Sequence, residues 1–338
     1  MTLVARRTGA GLLLAAALAA PGAAAGAQFI AYAEANSRTG TRSLQDGGVP
    51  QVGASFIAVS ADARLLDTSS SLIQNAEAVS AATATFGHLT FVARTAATQT
   101  SVSGAQPGTR GESMASAEAI DSFVVRCATC VDGTRGLMNF RVVLEGDVGM
   151  AHASTDLNGQ ATAGPAREMQ YFWTANLSMR AEGVGTEFPG PGVLSLYAYD
   201  YLAKVNDTVA AGGSREGLGV YDLQLEFEFG RPISMDWQGL ASASSFLHDE
   251  AGGPGFLSAQ SFSAFTHSFY WDGISSVTDA NGNAVSGFSA LNSVGVNYVQ
   301  SFADVVVAVP EPGTWTLMAL GLAVLAAFTR RGRGRTAP

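Results

Sequence analysis

The sequence predicts an all-β protein: a jelly-roll-like β-sandwich, with a β-helix as the alternative. An N-terminal signal helix and a C-terminal single transmembrane helix are expected at its ends. Three observations predict this. Apolar and polar residues alternate with period two through the middle of the chain, where helical periodicity is nearly absent. Glycine, at 39 of 338 residues, is spread among turn clusters at strand-like intervals. Each end carries an apolar run flanked by arginines.

In chain order, Arg6 and Arg7 precede an apolar stretch from Ala10 to Ala20, and Ala25-Gly26-Ala27 fits the A-x-A cleavage rule. Residues 1–27 read as a signal peptide, residues 28–308 as an exported β-sandwich region and residues 309–338 as a separate terminal signal. Within the body, "NAEAVSAATATF", "SMASAEAIDSF" and "GLASASSFLH" are rich in small residues. Alanine favours helix, so residues 72–84 are expected as a helical exception. Elsewhere small residues can cover long strands whose faces pack closely or meet water.

Cys127 and Cys130 are the two cysteines, in "VVRCATCVDG". Zinc needs four ligands, and no second C-x-x-C or H-x-x-x-H pair accompanies them. The pattern before and after reads as strand, turn, strand, so a disulfide pinning the turn is expected in an oxidising compartment. "MNFRVVLEG" and "REMQYFWTANLSMRAEG" follow as strands. In "LSLYAYDYLA", Tyr197, Tyr199 and Tyr201 fall on one strand face, opposite Leu194, Leu196, Ala198 and Leu202. Flat aromatic side chains on a rigid strand can stack sugar rings while their polar tips form hydrogen bonds. The alternative is that they line a second, half-buried layer.

"YDLQLEFEFG" is the plainest strand, with Leu223, Leu225, Phe227 and Phe229 on one side and Gln224, Glu226 and Glu228 on the other. "FSAFTHSFYW" alternates Phe265, His267, Phe269 and Trp271 against smaller residues. "ISSVTDANGNAVSGFSAL" places an Asn281-Gly282 turn between two β-rich arms, a hairpin signal. Asp279, Asn281 and Asn283 echo the spacing of a calcium loop, but the downstream glutamate is missing and turn chemistry accounts for them. No metal and no cofactor are expected.

The formal net charge is −9. Residues 28–308 keep 13 of the 19 basic and 27 of the 28 acidic residues, or about −14. Nucleic acid is a poor partner for such a surface. The acidity reads as solubility and mutual repulsion outside the cell, against a weaker reading of divalent cations shared with acidic polysaccharide. The nucleophile elbow, the zinc helix motif, the phosphate loop and the dinucleotide fingerprint are all absent. His88, His152, His248 and His267 are scattered along the chain. His267 reads as an interior histidine, and His248-Asp249-Glu250 as a loop. No catalytic residue is named, and the chain is not expected to be an enzyme.

The C-terminal end is the most informative. Val309-Pro310-Glu311-Pro312 is followed by 14 residues, Trp315 to Phe328, that are apolar or small except Thr316. As a helix they span about 21 Å, short of a ~30 Å hydrocarbon core. Length alone would allow a buried core helix. Arg330, Arg331, Arg333 and Arg335 instead point to a membrane helix whose arginines stay cytoplasmic. In this order the three features resemble the PEP-CTERM sorting signal of Gram-negative, exopolysaccharide-producing bacteria.

The resemblance implies recognition by an exosortase, a membrane-embedded, transpeptidase-like protease that cuts near the Pro-Glu-Pro. It also implies transient residence in the inner membrane, then the cell surface or the extracellular space. "ASAEAIDSFVV", "GTRGLMNFRVVLEG" and "FTHSFYWDGISSVTDANGNAVSGFSALNSVGVNY" are similar to the bodies of secreted PEP-CTERM proteins of unassigned function and bring no catalytic residues. The expected role is a structural or adhesive component associated with exopolysaccharide. The alternatives are a secreted carbohydrate-active enzyme, lyase or hydrolase, and a glycan-binding module.

Overall fold

The computed structural model describes residues 27–40, 42–68, 72–101, 108–156, 158–161, 167–185, 190–206, 208–214, 217–247 and 255–303, without the side chains of 267 and 268. Residues 1–26 of the expected signal peptide, the Pro310-Glu311-Pro312 motif, the apolar run, the tail arginines and His248 to Glu250 lie outside the described residues. Among the described residues, no helix is long and apolar enough to cross a membrane.

Among the described residues, sixteen strands form two antiparallel sheets packed face to face. The first four are β1 (Gln28–Thr39), β2 (Arg42–Gly47), β3 (Gln51–Gly53) and β4 (Phe56–Thr68). Next come β5 (Leu72–Thr85), β6 (His88–Ser101), β7 (Thr109–Arg126) and β8 (Arg135–Leu144). Then follow β9 (Asp147–Asp156), β10 (Arg167–Ala181), β11 (Val193–Val205) and β12 (Thr208–Ser214). The last are β13 (Gly219–Glu228), β14 (Pro232–Leu247), β15 (Gly255–Asp279) and β16 (Ser289–Asn292).

The first sheet runs β12-β11-β10-β14-β7-β1-β2, with β3 beside β1 and β16 beside β7. The second runs β13-β8-β15-β6-β5-β4, with β9 also on β15. All pairs are antiparallel, so the parallel coils of a β-helix are not the architecture.

Two zones of the interior differ by side-chain size. One is aromatic: Phe91 stacks on Phe265 at 4.7 Å, Phe140 on Trp271 at 4.5 Å, and Trp237 leans on Phe269 at 4.8 Å. Gly239 makes room for Phe91, whose Cε1 would lie 2.0 Å from a Cβ at that position. The other zone is built of alanines 33, 35, 61, 63 and 78. There the sheets come close enough to bond directly. Ser37 Oγ donates to the Ala63 carbonyl at 2.6 Å, and Ser80 Oγ donates to the Glu34 carbonyl at 2.9 Å.

This close approach overturns the helix expected over residues 72–84. They form β5, with Ala76, Ala78, Ala82 and Ala84 fully buried. Intrinsic propensity gives way because alternate small side chains let two sheets meet, and that contact outweighs a few tenths of a kcal/mol per residue.

The free edge of β4 is covered by the β1–β2 hairpin. Asp62 N–H donates to Asp46 Oδ2 at 2.8 Å and Arg42 Nη1 to the Leu66 carbonyl at 3.2 Å. Side chains therefore occupy groups that would otherwise template another strand. At the other end of the body, the segment after β15 is docked through its aromatic residues. Tyr298 is buried, stacks on Phe123 at 4.9 Å and donates its hydroxyl to Asp121 Oδ2 at 2.6 Å. Asn292 Nδ2 donates to the same oxygen at 2.8 Å, and Trp271 Nε1 to the Tyr298 carbonyl at 2.7 Å.

The expected Asn281-Gly282 hairpin is shorter than its sequence suggests. Thr278 bridges Ala284, but the second arm then leaves and forms β16 against β7 in the other sheet. Asp279 accepts from the Asn281 and Asn283 N–H groups, both at 2.9 Å, and from Asn283 Nδ2 at 3.1 Å. Those bonds hold its carboxyl below the usual range, the Asn283 side chain contributing most. The same turn recurs at residues 156–160, where Asp156 accepts from the N–H groups of Asn158 and Gln160.

Candidate functional site

The outer face of the first sheet carries the residues singled out for ligand binding. On β11, Leu196 and Ala198 turn inward and are buried, which sends Tyr197, Tyr199 and Tyr201 outward. Tyr197 is 38 % exposed, and Tyr199 and Tyr201 are half-buried. The rings of Tyr197 and Tyr199 lie 5.8 Å apart and 40° from parallel. Gly213 of β12 pairs with Tyr201, and a Cβ there would come within 2.7 Å of the ring. A glycine at this position thus leaves the tyrosine room to lie over β12.

Register carries each tyrosine into a row that crosses the sheet. Tyr197 lines up with Asn176 on β10, Gln238 on β14, Glu118 on β7 and Ile30 on β1. Tyr199 continues into Thr174, Leu240, Ser116 and Tyr32. Tyr201 continues into Phe172, Ser242, Met114 and Glu34. Asp236 stands one outward position from Gln238 along β14.

Two carboxyls in this face are perturbed. Glu118 is only 8 % exposed because its neighbours crowd it. Burial first, and then the Asp236 carboxyl, push it up to about 7. Burial also raises Asp236. Gln238 Nε2 donates to both Asp236 oxygens at 3.3 Å and also supports the charged form of Glu118.

Toward the β1–β2 edge, Glu34 accepts from the Tyr32 hydroxyl, from Asn36 Nδ2 at 2.9 Å and from Gln45 Nε2 at 3.0 Å. Burial and that carboxylate together raise the Tyr32 hydroxyl. A half-open groove of about 370 Å³ lies there, with Glu34, Asn36, Arg38, Arg110 and Glu112 among its lining residues.

The remaining singled-out residues lie elsewhere. Cys127 and Cys130 are disulfide-bonded, Cα to Cα 5.3 Å, in the turn between β7 and β8. His88 is buried on β6, 5.8 Å from the Tyr270 ring, whereas His152 is exposed on β9 beside Ala259. The two histidines thus meet β15 at well-separated positions and form no cluster. Among the described residues, no group of three or more His, Cys, Asp and Glu could hold a metal ion. Asn176, Gln238, Glu118 and Asp236 were not foreseen from sequence. They become neighbours of the tyrosines only through strand register.

Residues 308–333 match the PEP-CTERM protein-sorting motif. This span contains Pro310, Glu311, Pro312, Arg330, Arg331 and Arg333, and marks the chain as an exosortase substrate. No curated protein and no solved structure matches the chain.

Proposed function

We propose that this exported, exosortase-processed β-sandwich protein serves at the cell surface or in the extracellular matrix as a structural or adhesive component. It would hold exopolysaccharide on the outer face of its first sheet. The observation that carries this reading is the outward stripe of Tyr197, Tyr199 and Tyr201 on a strand paired along its length with β10 and, from Asp200 onward, with β12 as well. A stripe on a rigid strand presents flat faces for sugar stacking at little entropic cost. The repeated crossing of the chain between sheets supports a jelly-roll-like description of the body. Exosortase is the processing partner, and the inner membrane holds the precursor through its C-terminal helix.

The Glu118 and Asp236 carboxyls favour a second reading, a carbohydrate-active enzyme, because acid–base chemistry on sugars uses such pairs. Both, however, lean on one amide, Gln238, in an open face, and we assign them no catalytic step. The test is Tyr199→Ala in the processed protein. Retention on the host's own polysaccharide should fall while the melting temperature stays nearly constant. A large loss of stability would show that the stripe is core, since removing a buried aromatic costs about 3–5 kcal/mol.

A further inference from the structure

Resting on the tyrosine reading above, we infer that the glycan taken by this face carries free amino groups. The argument is one of charge complementarity. Glu118 and Asp236 sit in the middle of the outer face, on the two central strands β7 and β14. Their outward neighbours are Ile30, Ser116, Ile120, Ser178, Ser234 and Gln238. None of these is basic; Arg180, opposite Ser234 on β10, is diagonal to Asp236, but among the described residues neither carboxylate forms an ion pair with it or with any other lysine or arginine. Several other acids are answered: Asp62 by Arg64 at 2.8 Å, Asp222 by Arg141 at 3.0 Å and Glu228 by Arg231 at 3.0 Å. A carboxylate pair left without a counter-ion on the same face as an aromatic stripe, two and three strands from it, is the arrangement that an ammonium-bearing sugar would complete. Ring faces would meet the tyrosines, and amines the carboxylates.

The spacing agrees. Adjacent strands lie about 4.8 Å apart, close to the length of one pyranose unit in an extended chain, so Tyr197 and Glu118 are separated by roughly 14 Å. A glycan lying across the strands would place one sugar over β11, the next over the Asn176 amide of β10, another over Gln238 and a fourth at Glu118. Binding would also answer the unfavourable proximity of the two acids. A bound amine brings down the raised titration of Glu118, whose causes are burial and Asp236.

The experiment uses processed protein recovered from the producing host, with β-1,4-linked glucosamine hexamer and its fully N-acetylated counterpart as probes in titration calorimetry. Wild type should bind the free amine at least ten-fold more tightly. Glu118→Gln with Asp236→Asn should bring the amine form down to the level of the acetylated one. Glu145→Gln with Asp222→Asn, which removes two exposed acids elsewhere, should keep the preference. Equal binding of both oligomers by wild type needs no variant to interpret, and it would overturn the amine inference while leaving the tyrosine reading intact. Loss of preference in the control pair as well would also overturn it, because bulk negative charge would then be the attraction. If Tyr197→Ala, which removes the ring in this row, left binding of both oligomers unchanged, the tyrosine reading would fail, and this inference with it.

Discussion

Glu118→Gln offers a direct measurement of what the outer face costs the protein. In the folded chain Glu118 titrates at about 7 against an ordinary value of 4.5, because it is crowded by Ile30, Ser116, Ile120 and Gln238 and faces the Asp236 carboxyl. Between those two pH values the unfolded chain has released its proton while the folded chain still holds it. Stability therefore falls as pH rises through the window and levels off above about 7. At about 1.4 kcal/mol for each pH unit, the full penalty at pH 8 is roughly 3 kcal/mol, less whatever solvent screening removes. Glutamine keeps the shape and the acceptor oxygen but never ionises. The variant should match wild type near pH 4.5 and exceed it by about 2–3 kcal/mol at pH 8. For a body of this size that corresponds to a rise of roughly 4–12 °C in melting temperature. Thermal melts of both proteins from pH 4.5 to 8 read the difference directly, since every other carboxyl except Asp236 titrates alike in the two. A difference that stays flat across that range, or a variant less stable at pH 8, would refute the reasoning.

Two further outcomes follow from other parts of the molecule. Gly239→Ala should destabilise by about 3 kcal/mol, at the upper end for overpacking, because its Cβ would lie 2.0 Å from a Phe91 ring already stacked on Phe265. Denaturant unfolding checks this, and the cost should shrink in a Phe91→Leu background. Replacing Pro310, Glu311 and Pro312 by alanines should leave membrane insertion intact yet keep the chain uncleaved in the inner membrane. Fractionation with intact-mass analysis reads both, and normal mature protein at the surface would contradict a sorting role for that tripeptide.

The legibility of this molecule in its sequence follows the range of the interactions concerned. Where large and polar side chains alternate, as from Leu223 to Phe229, period two is unambiguous, and Leu225, Phe227 and Phe229 are indeed buried. The tyrosine stripe is legible for the same reason: Leu196 and Ala198 fix which way its neighbours turn. Residues 72–84 misled because alanine carries a local helix preference, whereas the contact that decides their form is with a second sheet distant in sequence. Asn292 accepts from the N–H groups of Val294 and Val296, much as Asp156 and Asp279 accept from residues two and four further on. That repeated turn could have been found by spacing alone. Glu118 and Gln238 could not, since nothing local states the register that sets them opposite each other.

The docking of the chain's last described residues links the body to its sorting signal. Phe302 packs over Gly87, where a Cβ would meet its ring at 2.6 Å, and its N–H donates to the Trp271 carbonyl at 2.9 Å. The body therefore holds its chain as far as Phe302, and only residues 303–309 separate that point from Pro310. Phe302 and Pro310 are eight residue steps apart, which even fully extended reach no more than about 29 Å. On the membrane topology proposed above, the folded sandwich would stay within that distance of the Pro-Glu-Pro while the precursor is held, and an exosortase would meet the motif close to the body. Destabilising the aromatic dock at Tyr298 should lengthen this tether without changing the motif.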